Sequence, residues 1–116
     1  MKLDKVGTDF IRNEEGFNLK SYQDSVGVWT ILWGLTYNPF TGDKIKQGDF
    51  VKDLPTAELW WQKAISPFEI VVTNYIPTGM NFTQNNFNAC VSLCWNIGRE
   101  NFKNSSLVKR LNDIMI

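Results

Sequence analysis

Two carboxylates and a hydroxyl near the amino terminus have the types and spacing of an acid–base site. Glu15 follows a predicted helix, Asp24 lies nine residues later in a predicted hairpin turn, and Thr30 follows six residues after that. Because the chain reverses direction at the turn, we expect the three side chains to face one cleft. Glycoside hydrolysis uses one carboxylic acid to protonate the leaving oxygen and a second carboxylate to assist attack on the sugar.

The same residues also have an ordinary structural explanation. Glutamate near a helix end and aspartate in a turn are common in proteins of every function. The spacing alone therefore leaves hydrolysis as one interpretation among several. Within the adjacent pair, Glu14 is the weaker candidate for the acid because it lies further back on the helix, whereas Glu15 borders Gly16.

Composition narrows the chemistry further. The chain has 116 residues and no histidine, which excludes histidine-based triads, proton shuttles and histidine-ligated metal sites. We expect neither a metal nor another cofactor. Twelve basic residues balance twelve acidic ones, and this zero net charge argues against a nucleic-acid partner or a polybasic membrane protein. A 43% hydrophobic content is enough for one folded domain, residues 1–116.

Two kinds of secondary structure are predicted to position the site. A helix from Asp4 to about Glu14 places Val6, Phe10 and Ile11 on one face, and Gly16 is predicted to end it in a left-handed conformation. β-branched and aromatic residues at 19–22 and 28–33 predict a hairpin, with a turn at 24–27. Residues 44–46 are predicted to form a short third strand.

Helices are predicted from residue 54 onward. One runs through residue 64, and Ser66–Glu69 starts or restarts a helix that reaches Tyr75. Thr83 is predicted to cap the next helix, which Gly98 ends, and Asn104 or Ser105 caps the last one. Cys90 and Cys94, four residues apart on a helical face, are interpreted as packed core thiols rather than a disulfide or a metal pair.

The sequence at residues 11–17 and 19–31 resembles the catalytic signature of the phage T4-type lysozymes, the bacteriophage endolysins of glycoside hydrolase family 24. The spacing of Glu15, Asp24 and Thr30 resembles the spacing in that family, with no insertion or deletion between them. A second block at 82–92, followed by residues 96–98 and 102–107, resembles the family in the same order. Together the blocks cover about residues 6–112.

This resemblance implies an α+β, lysozyme-like fold with a cleft between a β-hairpin lobe, 1–54, and a helical lobe, 55–116. It implies hydrolysis of the β-1,4 bond between N-acetylmuramic acid and N-acetylglucosamine in peptidoglycan, with inversion. Glu15 would be the general acid, and Asp24 and Thr30 would orient the attacking water. Further positions fall where the family lines its sugar-binding cleft, namely Thr36, Trp95, Asn96 and Ser105. For Trp95, a core aromatic is an equally good interpretation.

The sequence departs from the family next to the predicted site. Leu32 stands where the family has a glycine, and Leu35 stands where it has a histidine. On an extended strand, Leu32 would share a face with Thr30 and narrow the cleft. The alternative function is therefore a weakly active or inactive lysozyme-fold protein that binds glycan or a protein partner.

The sequence given does not contain the family's last helices, and its zero charge implies weaker attraction to a polyanionic wall. We therefore expect exposed apolar surface on the helical lobe and self-association through it. The amino-terminal residues contain no apolar run of the signal-peptide type. The resemblance then predicts a soluble protein that stays in the host cytoplasm until it is released to the cell wall.

Overall fold

The structure is a computed structural model that describes residues 1–77 and 81–114. The described elements are α1 (Lys5–Asn13), β1 (Tyr22–Gln23), β2 (Trp29–Thr30), α2 (Leu54–Tyr75), α3 (Gln84–Ile97), α4 (Arg99–Lys103) and α5 (Ser106–Ile114). Helices and a small antiparallel sheet make this an α+β fold, as the sequence predicted.

The chain forms two compact units. One contains residues 1–11 and 66–116, which we call the helical unit, and the other contains residues 12–65, which we call the hairpin unit. These units have other boundaries than the predicted lobes 1–54 and 55–116. The lobes, which were defined by their expected roles around the cleft, stay a prediction.

Helix α1 begins at the predicted place because Asp4 caps it. Its Oδ1 accepts a hydrogen bond of 2.9 Å from the backbone N–H of Gly7. The buried residues of α1 are Gly7 and Ile11, whereas Val6 and Phe10 are exposed. A Cβ on Gly7 would collide with the side chain of Asn88. Because the Gly7 face of α1 lies against α3, the predicted apolar residues Val6 and Phe10 remain exposed to solvent.

The predicted hairpin is confirmed, although its strands are short. Tyr22 pairs with Thr30 and Gln23 with Trp29 in an antiparallel register. Two backbone bonds close the turn, from the Asp24 N–H to the Val28 carbonyl at 2.9 Å and from the Gly27 N–H to the Asp24 carbonyl at 3.0 Å. The prediction of a left-handed Gly16 was wrong, since Gly16 is not among the described glycines with positive φ.

A second, tighter reversal follows the hairpin. Ile31 and Leu35 exchange both of their backbone hydrogen bonds, at 2.8 and 2.9 Å. The loop between them contains Leu32 at φ 55° and Gly34 at φ 74°.

The predicted strand at 44–46 was wrong, because Lys44 makes only an isolated bridge with Tyr37.

From residue 54 onward, most observed helix ends lie close to the predicted ones. Helix α2 continues through Pro67 to Tyr75 without a break. Thr83 and Asn86 form a capping box at the start of α3, and Gly98 ends that helix at φ 90°. The short α4 was not predicted. In the described part of the chain, no helix is long and apolar enough to cross a membrane.

Candidate active site

Glu15 lies directly after α1 in the hairpin unit. Its backbone N–H donates a 3.0 Å hydrogen bond to the carbonyl of Arg12, which extends the last helical turn to the residue itself. The Glu15 side chain is half-buried, whereas that of Glu14 is exposed. The sequence-based preference for Glu15 therefore agrees with its more enclosed position.

The carboxyl group of Glu15 lies against the backbone of Gly34. A Cβ built on Gly34 would be 2.5 Å from Oε2 of Glu15 and 2.6 Å from its carboxyl carbon. Any larger residue would have to displace the carboxylate, and the φ of 74° separately favours glycine. Gly34 was not predicted as part of the site, and its signal in the sequence is a glycine that follows the apolar run 28–33.

Tyr22 lies within electrostatic reach of both candidate carboxylates. Burial raises the pKa of its phenol, and the negative charges of Glu15 and then Asp24 raise it further. Its hydroxyl oxygen would lie 3.3 Å from a Cβ built on Gly16. Tyr22 thus connects the end of α1 with the hairpin turn, a role that sequence reasoning missed.

Asp24 is exposed at the hairpin turn and is oriented by the backbone. Its Oδ1 accepts hydrogen bonds from the N–H groups of Val26, at 2.9 Å, and Val28, at 2.8 Å. These bonds explain why aspartate suits the first position of this turn. They also fix the plane of the carboxylate without covering it.

Thr30 is buried at the end of β2, opposite Tyr22 in the hairpin register. Its hydroxyl donates a 2.9 Å hydrogen bond to the carbonyl of Val28. The donor of the hydroxyl is therefore engaged, and its oxygen keeps lone pairs that can accept a hydrogen bond.

The remaining predicted residues fall in both units. Thr36 is half-buried in the hairpin unit, and its carbonyl accepts a 2.9 Å bond from Ile45. In the helical unit, Trp95 lies edge-on to Phe68 at 4.9 Å between ring centroids. Asn96 is exposed on α3, and Ser105 accepts a 3.3 Å bond from the Val108 N–H at the start of α5. The hairpin unit therefore contains Glu15, Asp24, Thr30 and Thr36.

The prediction that Leu32 lies on the strand beside Thr30 was wrong. Strand β2 ends at Thr30, and Leu32 follows in the tight loop with a left-handed backbone. Its side chain is 0% exposed, and its backbone exchanges bonds with Asn18, the shorter of which is 2.8 Å. Leu32 is therefore a core residue of the hairpin unit, and Leu35 is buried as well.

A cluster of charged and aromatic side chains lies one helical turn before Glu15. The Arg12 guanidinium carbon is 3.9 Å from the ring centroid of Trp33 and 5.0 Å from that of Trp61. The guanidinium also forms a two-bond ion pair with Glu58, at 3.0 and 2.5 Å. Sequence reasoning missed this cluster because its members lie as far apart in the chain as Arg12 and Trp61.

Within the described ranges, no three His, Cys, Asp or Glu side chains are close enough to hold a metal ion. Cys90 and Cys94 are free and buried, as their interpretation as core thiols predicted. Burial raises the pKa of the Cys94 thiol to about 11, which keeps it protonated and unreactive at neutral pH.

Comparisons with known proteins show which family this chain resembles. A family profile described as phage lysozyme matches residues 12–115. An endolysin of Acyrthosiphon pisum secondary endosymbiont phage 1 is 34% identical over 112 residues, covering 97% of this chain and 70% of that protein. The endolysin of Salmonella phage P22 is 31% identical and covers 97% and 74%.

A solved structure supports the fold. The endolysin from Escherichia coli O157:H7 phage FAHEc1 superposes with a TM-score of 0.83 at 33% identity. The match covers 97% of this chain and 68% of that one.

Proposed function

This chain belongs to the phage lysozyme family and is a peptidoglycan-hydrolysing glycosidase, and we propose that Glu15 is its general acid. The bond cleaved is the β-1,4 linkage between N-acetylmuramic acid and N-acetylglucosamine. The observation that carries the assignment is the half-buried Glu15 carboxyl, seated against Gly34 and sharing Tyr22 with Asp24 as a neighbour.

The proposed reaction proceeds by a single displacement. Glu15 gives its proton to the glycosidic oxygen as the bond to the anomeric carbon breaks. A water molecule held by Asp24 and Thr30 attacks that carbon from the opposite face, and Asp24 takes the water proton. This arrangement inverts the configuration and requires the two carboxyl groups to stand roughly 6.5–9.5 Å apart.

The local contacts support these roles. Asp24 is exposed to solvent and held in orientation by two backbone N–H groups. The Thr30 oxygen, whose proton is directed to Val28, keeps the capacity to accept a bond from a water. Thr36, Trp95, Asn96 and Ser105 are the proposed sugar-binding residues.

The alternative of a weakly active or inactive relative that binds glycan or a protein partner depended on Leu32 and Leu35. Since both side chains are buried, they do not occupy space where a glycan would pass. This burial favours the enzyme over the binding module.

Clearing of a peptidoglycan suspension tests the assignment of the acid. Glu15→Gln keeps the size of the side chain but cannot donate the proton, so we expect the rate to fall by about 10²–10⁴-fold. Glu14→Gln is the matched control and should clear at close to the wild-type rate. Equal clearing by wild type and Glu15→Gln would contradict the proposal. Proton NMR of freshly released sugar should show the α-anomer first, and an initial β-anomer would contradict inversion.

A second pair of variants tests the contact between Glu15 and Gly34. Gly34→Ala introduces a Cβ against the carboxylate at φ 74°, whereas Gly42→Ala introduces one into open space at φ 80°. Both substitutions place alanine at a similar positive φ and should lose similar stability through backbone strain, while Gly34→Ala must in addition displace the Glu15 carboxylate. Only Gly34→Ala should lose activity, by on the order of 10²-fold for a displacement of about 1 Å. Equal activity of the two variants would show that the contact is not needed.

A further inference from the structure

We propose that Arg12 is a positioning residue for the general acid, holding Trp33, and through it Gly34, against the Glu15 carboxyl. The proposal rests on the proposed function of Glu15. All of the residues involved lie in the hairpin unit.

Trp33 is held in place by contacts on several sides, one of which is made by the Arg12 side chain. The guanidinium carbon lies 3.9 Å from the Trp33 ring centroid, within the range of a cation–π interaction. Phe17 contacts the same indole at 4.6 Å between centroids, and Trp61 contacts it edge-on at 6.0 Å. The Trp33 side chain is consequently only 9% exposed.

Glu58 on α2 anchors the guanidinium in turn. Two parallel hydrogen bonds, at 3.0 and 2.5 Å, match the planar fork of arginine to the carboxylate. The Nε atom of Arg12 is buried with no hydrogen-bond partner among the described residues. Burial of that donor is unfavourable, so the orientation is maintained by the ion pair and the aromatic contacts together.

The backbone of Arg12 acts on the other side of the contact. Its carbonyl accepts the hydrogen bond from the N–H of Glu15. Its side chain fixes Trp33, the residue that directly precedes Gly34. One residue therefore holds both the acid and the glycine on which the acid is seated.

Arg12→Lys tests this role because it keeps the charge but loses the planar fork and the stacking surface. We expect kcat on soluble peptidoglycan fragments to fall by about 10- to 100-fold. We expect KM to stay within about twofold of wild type, because the sugar-binding residues are untouched. Trp33→Phe keeps an aromatic ring with a weaker cation–π attraction and should show a smaller loss in the same direction.

Val72→Ala is the control for simple destabilisation. Val72 is 0% exposed in the helical unit, so its truncation should lower the melting temperature without disturbing the hairpin unit. A normal kcat in this variant, beside a reduced kcat in Arg12→Lys, would separate positioning from stability. Retention of kcat by Arg12→Lys to within about twofold would overturn the proposal.

An NMR titration supplies a readout that does not depend on activity. The Gly34 amide resonance should shift as Glu15 is protonated, and Glu15→Gln should abolish that shift. In Arg12→Lys we expect the amplitude to fall to about half or less, because the loop no longer stays against the carboxyl. An unchanged amplitude would contradict positioning. A wild-type chain that does not hydrolyse peptidoglycan would instead contradict the proposed function, while the titration still decides the role of Arg12.

Discussion

Leu32 occupies a backbone conformation that its own residue type disfavours. Its φ of 55° is the only positive value among the described residues other than glycine. For an L-residue this conformation costs roughly 1–2 kcal/mol. The fully buried side chain offsets that cost, since truncating a buried leucine to alanine typically costs about 2–5 kcal/mol.

These opposing effects predict an unusual order of stability at position 32. Leu32→Ala loses the buried side chain and keeps the strain, whereas Leu32→Gly loses the side chain and relieves the strain. We therefore expect the glycine variant to be the more stable by about 1 kcal/mol, although glycine is normally the worse residue. Urea denaturation of the two variants measures the difference.

Position 35 provides the control for that comparison. Leu35 is also buried but is not among the residues with positive φ. There the ordinary order should hold, with Leu35→Gly less stable than Leu35→Ala by about 0.5–1 kcal/mol. The same order at both positions would contradict strain at Leu32.

For single residues, the sequence predicted the local backbone position better than the contacts of the side chain. Glu15 and Asp24 lie at the predicted helix end and turn, because both positions depend on local backbone preferences. The burial of the Leu32 side chain could not be predicted, because alternation of side chains between two faces applies only to an extended strand. Strand β2 ends at Thr30. The contacts of Tyr22 and Arg12 join segments that are distant in the chain, and no local sequence pattern predicts them.

Elements were predicted best where a side chain marks their ends. The Thr83 capping box and the glycine at 98 bound α3 as predicted. The strand predicted at 44–46 failed because Ile45 stands between two lysines, which are poor strand formers, and the structure supplies a single bridge there. Pro67 suggested a restart, but α2 tolerates it and continues to Tyr75.

The start of α2 makes stability depend on pH. Asp53 accepts hydrogen bonds from the hydroxyl of Thr56, at 2.5 Å, and from its N–H, at 3.0 Å. The hydroxyl bond first, and then the backbone bond, lower the pKa of Asp53 below its ordinary value of 3.8. Because the folded-state pKa is the lower one, this stabilisation is present above pH 3.8 and is lost as the pH falls through the folded-state value.

We therefore expect Asp53→Ala to lower the melting temperature at pH 7, and the difference from wild type to be smaller near pH 3 than at pH 7. Asp43→Ala removes an exposed carboxylate from a loop and serves as the control at both pH values. Thermal unfolding followed by circular dichroism measures both variants. A difference that does not change with pH would show that the charge of Asp53 is not responsible.

Across the whole molecule, the fold class was predictable and the grouping of segments was not. The resemblance implied an α+β fold, and the predicted helices and hairpin agree with it. The inclusion of residues 1–11 in the helical unit depends on bonds between distant positions. Leu3 donates to the buried Glu69 at 2.7 Å, and Asn88 donates to Asp4 at 2.8 Å across 84 positions. No local sequence pattern predicts pairings between positions so far apart.

The helical unit carries an open apolar depression of about 430 Å³ whose lining includes Phe82, Leu93, Leu107 and Leu111. Exposed apolar surface of this kind binds hydrophobic dyes and favours association. We expect the chain to bind ANS in its folded state and to form larger species as its concentration rises. Fluorescence and sedimentation velocity measure the two effects.

Leu107→Lys places a charge in the depression at a position that is already 36% exposed, so folding should be preserved. We expect ANS fluorescence to fall by about half and the larger species to decrease, since an ammonium group makes this surface polar. Leu59→Lys makes the same change at a 64% exposed position on α2 in the hairpin unit and should leave both signals unchanged. If wild type binds no dye and remains a monomer at every concentration, the depression is not an association surface. If Leu59→Lys lowers the signals as much as Leu107→Lys, the association depends on net charge rather than on this depression, because each variant adds one positive charge to a neutral chain.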